Sequence, residues 1–322
     1  LRTAIAQYKK RSRKVAVNPN TEVMVTAGSS PAFFIALGAL LNPGDEVVIT
    51  DPGYPCYQNF IRYYSGNVKY VPIYEEDRFD VRPSELEKTI TPKTKIIILN
   101  SPSNPTGQII PEKSLNEIAD IAIKHDLFVI SDEIYSELTY TGGIAPSISQ
   151  IPEMRDRTIV LDGFSKFWAM TGWRLGYIIA PPPIIDQMNK INQNFFICAP
   201  SISQIAGIEA LKCLEETQQM LQTYQERRDL IVKRINAIQG MSIKPPAGAF
   251  YAFANIKGVS TDSKHFSWDL LEKAHVAATP GIAFGPNGEG FIRFSYCAQK
   301  EKIEEGMNRL ETYISRLQKE KI

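Results

Sequence analysis

No run in this chain approaches the roughly twenty apolar residues that would cross a bilayer, and Leu1 to Arg13 is a basic, helix-patterned segment without the apolar stretch of a signal peptide. Histidine is scarce, with three in all, and the four cysteines, Cys56, Cys198, Cys213 and Cys297, stand far apart without CxxC spacing. That argues against a metal site or a disulfide framework and predicts buried free thiols. Net charge is almost absent, 36 Lys and Arg against 35 Asp and Glu. No field would therefore draw the chain to nucleic acid or an anionic membrane, and short basic runs such as Lys9-Lys10-Arg11 read as solvated surface. No GxGxxG follows a strand-like run, which leaves a dinucleotide reading without support. There is also no internal repeat and no low-complexity tract. A cytoplasmic globular protein without nucleic-acid or membrane partners is the expectation.

What is present is an alternation of short β-branched runs with helical segments. Strands are predicted over residues 23–27, 46–50, 68–72, 95–100, 128–131, 158–161 and 175–180, with helices at about 30–41, 54–65 and 111–125. That pattern favours an α/β fold with a mostly parallel central sheet covered by helices. Pro181-Pro182-Pro183 then opens a helical stretch over 184–239, interrupted near Ala199-Pro200. Strands at 249–254 and 290–296 and a closing helix at 300–319 suggest a smaller α+β region. The predicted organisation is a leading helix over 1–20, a large domain over 21–198, connecting helices over 199–240 and a small domain over 241–322. The first residue is Leu1, inside an amphipathic helical pattern, and the expectation is that the natural protein begins further upstream.

The most informative run is 162–177, Asp-Gly-Phe-Ser-Lys-Phe-Trp-Ala-Met-Thr-Gly-Trp-Arg-Leu-Gly-Tyr. Lys166 sits there between small residues and apolar walls, which suits an amine kept partly desolvated and therefore nucleophilic near neutral pH. Arg174 follows it, expected on a further short strand. Gly28-Ser29-Ser30 lies between a strand and a helix, where free N–H groups, the helix dipole and two hydroxyls suit a phosphate or a simple N-cap. The 51–57 segment, Asp-Pro-Gly-Tyr-Pro-Cys-Tyr, offers Tyr54 or Tyr57 to stack on a ring. The 100–107 segment, Asn-Ser-Pro-Ser-Asn-Pro-Thr-Gly, is a proline-fixed loop that can aim the Asn104 amide. Ser131-Asp132-Glu133-Ile134-Tyr135 ends a strand where open α/β sheets carry ligands, with Glu133 read as a solvated, helix-capping acid. Arg293 lies in an otherwise apolar strand, so it needs an anion, either a structural partner or a substrate.

Taken together these runs resemble the class I and II aminotransferases of the fold-type I enzymes that use pyridoxal 5'-phosphate, over nearly the whole chain. The resemblance implies a PLP-transferase-like fold and ping-pong transamination between an L-amino acid and a 2-oxo acid, possible types including aspartate and aromatic. Lys166 would hold the cofactor as a Schiff base and shuttle the proton; Asp132 would pair with the ring nitrogen and Tyr135 with the phenolic oxygen. Gly28, Ser29, Ser30, Ser165 and Arg174 would hold the phosphate, Tyr54 the ring face, Asn104 the phenolic oxygen and the substrate, and Arg293 the substrate carboxylate. It also implies a homodimer with shared active sites. One departure is Gly163, where the family often carries a hydroxyl. A lyase of the same fold, or the cofactor-sensing half of a winged-helix transcription regulator, are the alternatives; the preferred amino donor is not readable.

Overall fold

A computed structural model describes residues 1–320. The central sheet has seven strands in the order β1-β7-β6-β5-β4-β2-β3: β1 Val23–Thr26, β2 Glu46–Asp51, β3 Asn67–Pro72, β4 Thr94–Asn100, β5 Phe128–Asp132, β6 Thr158–Gly163 and β7 Gly176–Ile179. From β3 through β6 every pairing is parallel, while β7 runs antiparallel to both β6 and β1. Strands in the middle are buried on both faces, which is why Ile96, Ile97, Ile98 and Leu99 form an unbroken apolar run instead of an alternating one.

Helices cover the two faces. Among them, α1 spans Arg2–Arg13, α2 Ser29–Leu40, α3 Cys56–Tyr63, α4 Pro83–Thr89 and α5 Glu112–Lys124. The α5 helix shows the logic: Leu115, Ile118, Ala119 and Ala122 recur at helical spacing and are buried, with Glu112 in its first turn and Lys124 in its last to suit the dipole. The predicted long helical stretch is three helices: α6 Pro182–Phe195, α7 Ser201–Ala210 and α8 Leu214–Ala237. A second break at 211–213 thus joins the expected one.

A three-stranded antiparallel sheet follows, β8 Tyr251–Asn255, β9 Thr279–Pro280 and β10 Phe291–Ser295, with β10 in the middle. The helices α9 Ser263–Ala274 and α10 Lys300–Glu320 pack beside it. Its core residues, Ala252, Ile292 and Phe294 among them, belong to one cluster with Ile134, Tyr135 and Phe167 of the large sheet's loops. The two sheets therefore meet over the loops that follow β5 and β6. Among the described residues no helix is long and apolar enough to cross a membrane.

Three expectations are corrected here. Lys9 is not solvated; it is 2% exposed, and its Nζ lies 2.8 Å from Asp162 Oδ2. Glu133 is no exposed cap either: it is buried, 3.0 Å from the Arg13 guanidinium and 3.8 Å from Lys9. Burial works against its charge, but Arg13 and Lys9 hold its carboxyl below the usual value. The helix periodicity of α1 turns these two cations inward, four residues apart, on the face that carries Ile5. The cysteines are free, as expected, but none is buried: Cys198 and Cys297 are exposed and the other two half-buried.

Removing one member of a buried pair leaves a charge without compensation. Lys9→Ala is expected to destabilise the fold by about 3 to 5 kcal/mol. Chemical denaturation of variant and parent checks this; a loss under about 1 kcal/mol, the scale of an exposed pair, would contradict it.

Candidate active site

The carboxyl ends of the parallel strands converge on one cavity of about 170 Å³. Register explains the convergence, since Asn100 at the end of β4 pairs with Asp132 at the end of β5. The walls include Ser29, Ser30, Tyr54, Asn104, Asp132, Tyr135, Ser165, Lys166 and Arg174, so nine of the residues singled out from sequence line one space. Gly28 lies beside it and Arg293 is joined to it through Asn104.

At one end stands Asp132, almost wholly buried. Tyr57 donates its phenol to Oδ2 at 2.5 Å, and the Ile134 N–H donates to Oδ1 at 3.3 Å. Among the described residues no cation is paired with it. Burial pushes the Asp132 carboxyl up to about 7, although the Tyr57 and Ile134 hydrogen bonds pull the other way and Asp162 and Glu133 add to the rise.

The wall at the start of α2 is built on a glycine. Gly28 has φ 98°, open to glycine and strained for other residues, and a Cβ there would lie 2.4 Å from Arg174 Nη2. The guanidinium is thus laid against the turn that starts α2, next to Ser29 and Ser30. Arg174 does not lie on a strand as expected: it is a left-handed residue (φ 52°) before β7, with Nη1 donating to Thr171 O at 3.1 Å. Gly163 has a steric reason, because a Cβ would press on Leu175 O at 3.0 Å and Gly176 Cα at 3.1 Å. Ser165 stands on the cavity wall instead, and its carbonyl accepts from the Thr171 hydroxyl at 2.6 Å.

Lys166 lines the same cavity, half-buried, with Asp132 and Arg174 both near enough to act on its charge, and its Nζ is 5.4 Å from the Phe250 ring centre and 5.7 Å from that of Tyr135. Burial lowers its pKa, against the pull of Cys297 and Asp132. The free amine is thereby made more accessible near neutral pH. Tyr135 shares a 2.8 Å hydrogen bond with the hydroxyl of Tyr251 from β8. Tyr54 and Tyr57 meet edge to face, with ring centres 5.3 Å apart, so the two tyrosines divide the work: Tyr54 lines the cavity and Tyr57 holds Asp132.

At the mouth, Arg293 donates to Asn104 Oδ1 at 2.7 Å and to the Thr279 hydroxyl at 3.2 Å. Its guanidinium is sandwiched between Tyr251 at 4.4 Å and Phe284 at 4.8 Å, its Nε has no hydrogen-bond partner, and burial lowers its pKa. No carboxylate is within ion-pair distance of it among the described residues, so the structural salt bridge left open by the sequence is not what holds it. The peptide bonds before Pro102 and Pro105 are both cis. Tyr251 and Thr279 belong to the site although they lie in no sequence motif, Thr171 lies within the 162–177 run without being singled out there, and Tyr57 is visible in its motif only as a rival to Tyr54 for stacking. Tyr251 and Thr279 come from the second sheet and carry no local signature.

A carboxyl harder to ionise in the folded than in the unfolded chain costs stability once pH exceeds its unfolded pKa. For Asp132 that window runs from 3.8 to about 7. The cofactor-free protein is therefore expected to lose stability as pH rises through it. Asp132→Asn removes this term, so the variant's advantage in Tm should widen from about pH 4 to about pH 7 and then level off; a gap independent of pH would contradict the assignment.

Comparisons with known proteins show the family and the fold. The family described as "Aminotransferase class I and II" matches residues 1–310. An aspartate aminotransferase of Pyrococcus abyssi is 43% identical over 314 residues, 97% of this chain and 80% of that protein. An aromatic-amino-acid aminotransferase of Thermococcus litoralis is 39% identical over 97% of this chain and 80% of that protein. The crystal structure of an aromatic aminotransferase from Pyrococcus horikoshii superposes with a TM-score of 0.95 at 42% identity, covering 98% of this chain and 85% of that one. With the fold shared at this level and the family matched almost end to end, the chain belongs to the class I and II aminotransferases.

Proposed function

We propose that this chain carries pyridoxal 5'-phosphate on Lys166 and transfers an amino group between an L-amino acid and a 2-oxo acid. The observation that carries the reading is the set of charges gathered on one cavity: an uncompensated buried acid, a partly desolvated lysine, and an arginine against a helix N-terminus. Such a cavity fits a molecule with a basic ring nitrogen at one end, a carbonyl in the middle and a phosphate at the other. Two orphans support the fit, Asp132 without a cation and Arg293 with an unpaired Nε. When bound, the cofactor supplies an aromatic ring that accepts electrons from the substrate Cα.

The chain's own residues have separable tasks. Asp132 holds a proton on the ring nitrogen, which its anionic form favours. Gly28, Ser29 and Ser30 offer backbone and hydroxyl donors to the phosphate, and Arg174 adds a planar pair; Ser165 is the remaining hydroxyl there. Tyr54 covers the ring face. Asn104 spends its Oδ1 on Arg293, leaving its amide N–H2 free to donate to the ring's phenolic oxygen. Tyr135 and Tyr251 share one hydrogen bond in which either hydroxyl can donate, and when Tyr251 donates, Tyr135 has its own proton to offer the same oxygen. Arg293 would bind the substrate carboxylate and orient Cα–H toward Lys166, whose free amine would take the proton from Cα and hold it for return. No observation favours the lyase or the regulator.

We also propose a homodimer. Phe195 and Ile197, 68% and 77% exposed, are followed closely in the chain by the exposed Ile202 and Ile205 of α7, while Phe34 packs between Phe195 and Tyr63. An apolar face of this kind asks for a partner, and the reading supplies a second copy. The cytoplasm is the proposed compartment, in keeping with four free thiols.

Borohydride reduction of the holoenzyme, followed by peptide mapping, is expected to label Lys166; a label on any other lysine would overturn the assignment. Ile197→Glu with Ile202→Glu is expected to shift the protein to monomer in sedimentation. An unchanged sedimentation coefficient would place the contact elsewhere.

A further inference from the structure

The family's lysine, acid and arginines leave one strong contact without a task. Tyr57, on α3, is 3% exposed and gives its only proton to Asp132 Oδ2 at 2.5 Å. Its ring is fixed independently, 4.9 Å from Phe33 and 5.3 Å from Tyr54, so the hydroxyl is aimed by packing and does not depend on the bond for its position. Burial, followed by the Asp132 charge, keeps the phenol far above its ordinary pKa, so it remains a donor at any working pH. The other carboxyl oxygen takes only a 3.3 Å bond from the Ile134 N–H. One oxygen is thus tied down and the other is left for a ligand.

We infer that Tyr57 is a positioning residue for the reaction: its hydrogen bond stabilises Asp132 as an anion and turns Oδ1 toward the ring nitrogen of the cofactor. This rests on the function proposed above. The groups around Asp132 make the donor necessary. Glu133, next in the chain, and Asp162, at the end of β6, are both acids that oppose its ionisation, and Tyr54 and Tyr135 are neutral phenols. Lys166 is a cation that feels its charge, and that amine is needed for the cofactor. Lys9 and Arg13 are spent on Asp162 and Glu133. Among the described residues only Tyr57 and the Ile134 amide donate to the carboxyl side chain.

Without the phenol, Asp132 becomes the stronger base and draws the shared proton away from the ring nitrogen. Less positive charge on the ring lets the proton beside Lys166 Nζ be held to higher pH, and the ring accepts electrons less well.

Tyr57→Phe keeps the ring packing and removes only the donor. In the holoenzyme variant the pH at which the cofactor's visible absorbance titrates is expected to rise by about one unit, the scale of one charge-assisted hydrogen bond. Cofactor affinity and kcat are each expected to fall about tenfold, with KM for the amino acid changed less than about twofold. In an Asp132→Asn background the same substitution should add nothing to either the titration or the affinity. Wild-type and Tyr57→Phe proteins with superimposable titrations and affinities would overturn the inference, as would shifts that persist in the Asp132→Asn background. A wild-type protein that takes no cofactor on Lys166 would overturn the proposed function and this inference with it.

Discussion

A carboxyl buried at the end of a parallel sheet, with no cation to meet it, is the constraint on which the site depends. Asp132 sits where β4 and β5 end together, desolvated and flanked by two other acids, yet those acids are already answered. Glu133 is paired with Arg13 and Asp162 with Lys9, both cations carried by α1. The buried pairs are costly in desolvation and are best understood as isolating Asp132. A positively charged ligand group would complete the arrangement, as the protonated ring nitrogen of the proposed cofactor would.

The second constraint is the joint between the sheets. Arg293 belongs to β10 and Asn104 to the loop after β4, and their 2.7 Å bond crosses from one sheet to the other. Tyr251 of β8 does the same through Tyr135. A substrate carboxylate at Arg293 would therefore touch the small sheet while its amine addressed Lys166 on the large one. The residues proposed to bind substrate also join the two layers, so recognition and architecture would be coupled at the mouth.

The parts of the site that are contiguous in the chain are legible in the sequence. Asp132 with Tyr135 and Gly28 with its two serines each follow one strand end, and Lys166 with Arg174 share the single connection from β6 to β7, so local pattern and chemistry coincide. The middle strands are equally plain, because burial on both faces leaves an unbroken apolar run. Contacts between distant segments are not legible in this way. Tyr57 and Asp132 are 75 residues apart, Lys9 and Asp162 are 153, and Asn104 and Arg293 are 189. No periodicity announces such partners. Lys9 reads as surface for that reason: a lysine in a basic run looks solvated until the opposing carboxylate is placed. Arg174 lies just short of the strand expected to hold it, since a left-handed turn before β7 is not visible in residues that suit either state.

The central claim is that Asp132 keeps the cofactor's ring nitrogen protonated. The direct measurement is the nitrogen NMR shift of holoenzyme loaded with cofactor labelled at that ring position, recorded near neutral pH. The shift expected is that of a protonated pyridine in the wild-type protein and of an unprotonated one when Asp132 is replaced by Asn. An unprotonated nitrogen in the wild-type holoenzyme would contradict it.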